Sequence, residues 1–273
     1  MHALYGIDFS GDHNKWSAGC TRSNIWIAAG FQRGAIMSLK HLMTVQDLPG
    51  DGAPFQRLSK LLNSPGEGFA AIDAPFSLPE AYLPDGPEAA WAEVRRLAGD
   101  RQFCRGAELV GALSPDLGTR GKKILRKTEK DWLNQKVNVR STVWSGPRGG
   151  AAFTAACMTL LSRHQGPVWP IRTGSGLTLI EAFPAAPLRH WGLPYVKYNG
   201  EDAAAETQRD VIIKGLQLHG LQLENDHYEA CLKSADALDS VICLFAAAAV
   251  ANGELAVELD PATVVEGHIA VHA

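Results

Sequence analysis

Between residues 241 and 251 the chain reads V-I-C-L-F-A-A-A-A-V-A, with an apolar residue at every position. A helix with that sequence has no wet side and has to be buried all round, so the rest of the chain must be built about it. Ser234 stands where it can cap the start of that helix, and Asn252-Gly253 where it can end. The first turns carry Asp236 and Asp239. Residues three apart lie on one helical face, with Cβ atoms about 5–6 Å apart. Two explanations compete for this pair. Acids in a first turn favour the positive end of the helix dipole by about 0.3–1 kcal/mol each, which accounts for Asp236 better than for Asp239. Alternatively, two close carboxylates that repel one another at the mouth of a buried helix call for a divalent cation.

The 273 residues suffice for one enlarged domain or two small ones. A net charge of −3 excludes a uniformly basic nucleic-acid glove, so any such contact needs a local patch. The five cysteines, at 20, 104, 157, 231 and 243, form no C-x-x-C pair, as expected of reduced thiols in a cytoplasmic protein. A strand-like run begins at once at the N-terminus, leaving no room for a signal peptide. The apolar run at 241–251 falls short of the ~20 residues a membrane span needs.

In chain order, residues 3–9 read as a buried strand with Asp8 near its end, where a turn-starting aspartate would also be at home. Residues 15–19 suggest a further short strand. Residues 24–31 and 35–45 suggest two strands of an antiparallel hairpin. An amphipathic helix at 55–63 leads to a strand at 68–73, which ends in Asp73 before Ala74-Pro75. The strand, helix, strand order predicts a parallel pair with a crossover. Residues 78–175 read as a large, mainly helical insertion. Its run from 118 to 132 is strongly basic, and Lys122, Lys123 and Arg126 are candidate phosphate contacts, with a solvated helix face as the plain alternative. Residues 177–183 are a strand carrying Glu181, residues 186–195 a loop and 201–218 a helix. Residues 257–259 and 264–271 suggest a short terminal strand.

Three strands thus carry one acid each, Asp8, Asp73 and Glu181, and the late helix carries two more. Hard oxygen donors in that number suit Mg2+ or Mn2+, and no histidine spacing suggests zinc. His13 reads as a surface loop residue. The element order resembles the ribonuclease H-like (RNase H-like) fold. G-I-D-F-S-G at 6–11, A-I-D-A-P-F at 71–76, I-E-A-F-P at 180–184 and D-A-L-D-S-V-I-C at 236–243 together resemble the family known as domain of unknown function 429, regarded as predicted RNase H-like nucleases. The resemblance implies a single α/β domain over 1–273. Its mixed five-stranded sheet would be flanked by helices, with the insertion set into it. It also implies that Asp8 bridges two metal ions, that Asp73 binds one of them, and that Asp236, Asp239 or both complete the site. Glu181 would be a possible supporting residue.

The expected chemistry is metal-assisted hydrolysis of phosphodiester bonds in nucleic acid, with two cations about 3.5–4 Å apart. Two alternatives stand beside it. The G-I-D-F-S-G opening with Lys15 also resembles the first phosphate loop of actin-like and sugar-kinase folds, which would make the protein an ATP-dependent phosphotransferase. The acids could also belong to a non-catalytic binding protein on the same scaffold.

Overall fold

The computed structural model describes residues 2–273. Strands β1 (Ala3–Asp8), β2 (Trp26–Arg33) and β3 (Ile36–Thr44) form an antiparallel meander. Its hairpin turns at Gly34, whose φ of 56° suits a residue without a Cβ. Helix α1 (Pro54–Leu62) crosses to β4 (Gly68–Asp73), which pairs parallel with β1. Helices α2 (Gly86–Ala98), α3 (Gly106–Leu113), α4 (Lys127–Asn134) and α5 (Ala151–Leu161) follow, and then β5 (Val168–Trp169) and β6 (Leu177–Ala182). The chain continues through α6 (Ala185–His190), α7 (Ala203–Leu218), β7 (Leu221–Gln222), α8 (Asn225–Lys233), α9 (Ala235–Asn252) and α10 (Pro261–Glu266).

The sheet order is β5-β6-β4-β1-β2-β3-β7. Five long strands form the expected mixed sheet, and two strands of two residues each extend its edges. Alternation along the strands divides their side chains between two cores. Ile7, Ile27 and Ile72 face α1, α2, α3 and α5, while Leu4, Ala28, Ala71 and Ile180 face α7, α8 and α9. The insertion is therefore one of the two helical layers, needed because a mostly parallel sheet must be covered on both faces.

Helix α9 lies across β1, β2 and β4. The Ser234 hydroxyl caps it by accepting from the Ala237 N–H at 3.1 Å, and Gly253 ends it with a φ of 72°. By length and composition α9 could cross a membrane, but it is a core helix sandwiched between the sheet and α7 and α8.

Three local expectations need correction. Residues 13–16 form a 3-10 turn rather than a strand, capped by Asp12. Residues 185–190 form α6 despite Pro187, which sits in the first turn where its missing N–H would have no helical partner. The terminal segment folds as α10, with only an isolated bridge between Leu255 and His272.

Candidate metal centre

β1 and β4 run parallel with Asp8 directly opposite Asp73. Each is the last residue of its strand, so both carboxylates emerge on the same face at the same sheet end. That face is the one covered by α9. The helix comes close because of Gly6, where a Cβ would lie 2.0 Å from the Ser240 carbonyl oxygen and 2.8 Å from the Leu244 nitrogen. This backbone approach brings Asp239, the residue before Ser240, to the strand ends. One carboxylate oxygen each from Asp8, Asp73 and Asp239 lies within 4.8 Å of the others. The three line a cavity of about 310 Å3 that Asp236 also borders. The two helix acids share a face as their spacing predicts, but only Asp239 joins the cluster.

Burial, followed by repulsion from Asp73, Asp239 and Asp236, holds the Asp8 carboxyl well above the usual carboxylate range. Asp239 is pushed up in the same way by burial and by Asp73, while a hydrogen bond from Tyr198 opposes the shift. Asp73 rises to about 7 through burial, with the Arg140 guanidinium working against it and Glu181 and Asp236 adding to it. Burial raises Asp236 too, and nearby Lys15 opposes it. Without a counter-ion the cluster therefore retains protons.

One residue bound to the cluster and one in the cavity wall have no sequence signal. Tyr198, in the loop before α7, donates its hydroxyl to Asp239 Oδ1 at 2.8 Å. Its own backbone is pinned by the buried Arg209 of α7, whose guanidinium donates to the carbonyls of Tyr198, Gly200 and Leu232. Asn24, just ahead of β2, lines the cavity with its Oδ1 buried and without a hydrogen-bond partner.

Glu181 is placed differently from the other strand acids. Its register partner on β4 is Ile72, while Asp73 faces Ala182. Glu181 therefore roots on the opposite face of the sheet, and there it meets Arg126. Arg126 Nη1 and Nη2 donate to its two oxygens at 2.8 and 2.5 Å, and the Phe76 N–H donates at 3.0 Å. Arg126 also binds Glu129 Oε1 at 3.1 Å and the Glu266 carbonyl at 2.9 Å, and it is only 1% exposed. Arg126 is thus the hub of a buried ion-pair network with Glu129 and Glu181, and all three border the carboxylate cavity. Lys122 and Lys123 of the same run are exposed. Lys15 Nζ donates to the Arg22 carbonyl at 2.8 Å.

An antiparallel meander, an acid at the end of each of two adjacent parallel strands and an acid-bearing core helix behind them define an α/β protein compatible with the RNase H-like fold. A family model described as "Protein of unknown function (DUF429)" matches residues 6–264, and the chain belongs to that family. The match takes in the whole carboxylate cluster. No curated protein and no solved structure matches significantly.

Proposed function

We propose that this protein is a Mg2+- or Mn2+-dependent nuclease that hydrolyses phosphodiester bonds of nucleic acid. The observation that carries this reading is the convergence of Asp8, Asp73 and Asp239 from three separated parts of the sequence. The donor set fits the cations, since all three ligands are carboxylates, as hard divalent ions prefer. Burial and mutual repulsion raise each of the three carboxyls, a cost that a bound cation would relieve. Asp8 would hold the central position, with Asp73 on one side and Asp239, supported by Asp236, on the other. Bound cations supply the Lewis acidity that activates water and stabilises the leaving oxygen. The chain contributes the positioning. Tyr198 fixes the rotamer of Asp239, and Arg140 at the cavity rim offers a guanidinium to a phosphate oxygen. Five free cysteines agree with a reducing, cytoplasmic setting.

A manganese-dependent cleavage screen over single-stranded, duplex, hybrid and branched substrates tests the reading. Asp8→Asn, Asp73→Asn and Asp239→Asn are each expected to abolish cleavage, and Asp236→Asn to reduce it. Lys15→Ala should leave most of it, because Lys15 is tied to the Arg22 carbonyl. Magnesium-dependent ATP binding at micromolar affinity that vanishes in Lys15→Ala would favour the phosphotransferase instead. Metal binding with no cleavage of any substrate would leave a binding protein.

A further inference from the structure

Beside the carboxylate cavity lies a second one of about 230 Å3, and Arg140 lines both. Its walls come from the insertion: the first turns of α3 and α5, and the loop that carries Trp144, Ser145 and Arg148. That loop is cross-braced. The Gly150 N–H donates to the Ser141 carbonyl and the Ser145 N–H to the Arg120 carbonyl, each at 2.9 Å. Trp144 Nε1 donates to the Pro147 carbonyl at 3.2 Å. A Cβ on Gly149 would lie 1.9 Å from the Trp144 carbonyl oxygen, so the turn closes only around glycine. Arg148 is held at a φ of 57°, which costs a non-glycine residue about 1–2 kcal/mol. A long cationic side chain is thus kept where glycine would be easier.

The charged residues that line this cavity are Arg140 and Arg148, with no carboxylate among its lining residues. Arg140 and Arg148 are exposed, and among the described residues neither enters a salt bridge. The bridge between Gly121 and Trp144 sets the exposed Lys122 and Lys123 on the same flank. Two helix N-termini converging on the cavity add positive potential.

We propose that the Arg140–Arg148 cavity is a phosphate-binding subsite for a nucleic-acid strand, holding a phosphodiester next to the one at the carboxylate centre. The inference rests on the nuclease reading for its occupant. A strand is favoured over a lone phosphate because two cavities share one arginine and lead onto a lysine flank, a path that several successive phosphates would follow. Half-buried Trp144 gives the path an apolar surface for a base.

The test is fluorescence anisotropy of the full chain with a labelled single strand of about 12 nucleotides, in EDTA, between about 50 and 200 mM salt. Arg148→Gly removes the charge while suiting the left-handed backbone, so its melting temperature should equal or exceed the parent's. Its affinity should fall at least fivefold, and its log–log salt slope by about 0.7, the share of one phosphate on a single strand. Lys122→Ala with Lys123→Ala should flatten the slope further. Parent-like affinity and slope in Arg148→Gly, or no strand binding by the parent, would overturn the subsite. So would a mononucleotide that competes as well as the strand, because the occupant would then be a small phosphorylated molecule. Strand binding weakened by Arg148→Gly without manganese-dependent cleavage would keep the subsite and remove the nuclease. Cleavage with unaltered binding in Arg148→Gly would do the reverse.

Discussion

At the scale of single residues, Asp8, Asp73 and Asp239 are costly to ionise together. A carboxyl raised in the folded chain above its unfolded value of about 3.9 keeps its proton after the unfolded chain has lost its own. The folded state then binds more protons, and stability falls as pH rises through that interval. For Asp73 the interval runs from about 4 up to about 7. The slope is at most about 1.4 kcal/mol per pH unit for one group. The metal-free protein is therefore expected to melt at a lower temperature at pH 7 than at pH 5. Asp73→Asn should flatten that profile and raise the melting temperature at pH 7. A metal-free profile that is flat, or that rises with pH, would show that the cluster carries no such repulsion. Asn24, the buried amide with an unpartnered oxygen, should affect cation affinity more than folding. Asn24→Ala is expected to weaken Mn2+ binding in calorimetry with little change in melting temperature.

At the scale of elements, the site depends on how closely α9 approaches β1. Gly6→Ala would force a Cβ against the Ser240 carbonyl. Overpacking of this kind costs about 1–3 kcal/mol, and here the displaced element carries Asp239. Thermal melting should show the loss, and cation binding should weaken beyond what Asn24→Ala produces. Full retention of both would mean that α9 shifts without disturbing the cluster. The second organising contact is the Arg126 hub, which joins α4, β6 and the end of α10. Removing one partner of a buried ion pair costs about 3–5 kcal/mol, because the other charge is left unpaired. Arg126→Met should therefore be severely destabilised, and adding Glu181→Gln should restore part of the loss. If the double variant melts below the single one, the Glu181 carboxylate stabilises the fold without Arg126, through the Phe76 N–H it accepts.

At the scale of the whole molecule, two helical layers enclose a sheet whose central strand ends open into the acidic cavity. The insertion covers one face of the sheet and also supplies the arginines beside the cavity. Because a cation that binds the cluster binds only the folded chain, it stabilises by mass action, with about 2.7 kcal/mol at a hundred times its Kd. Millimolar Mg2+ or Mn2+ should raise the melting temperature at pH 7 and should do so little in Asp8→Asn. A parent that melts identically across a wide metal titration would count against the centre.

Much of this architecture was legible in the chain. The apolar run before Asn252-Gly253 sufficed to place a buried helix, because a helix with no polar face has only one environment open to it. Ser234 marked the start of that helix, and short apolar runs closed by turn residues marked the strands, since caps and turns are local properties. Strand ends bearing acids were legible for the same reason. What the local sequence could not supply was register. Ile7-Asp8, Ile72-Asp73 and Ile180-Glu181 look equivalent as dipeptides, yet Asp73 pairs with Asp8 while Glu181 pairs with Ile72. A one-residue offset moves a side chain to the other face of a sheet, and the offset is set by pairing along the whole strand. The basic run shows the same division. Lys122 and Lys123 are exposed and Arg126 is not, because Glu181 and Glu129 surround the place where Arg126 lands. Composition determined which groups had to be buried or charged, and only the packing of distant strands decided which charges would meet.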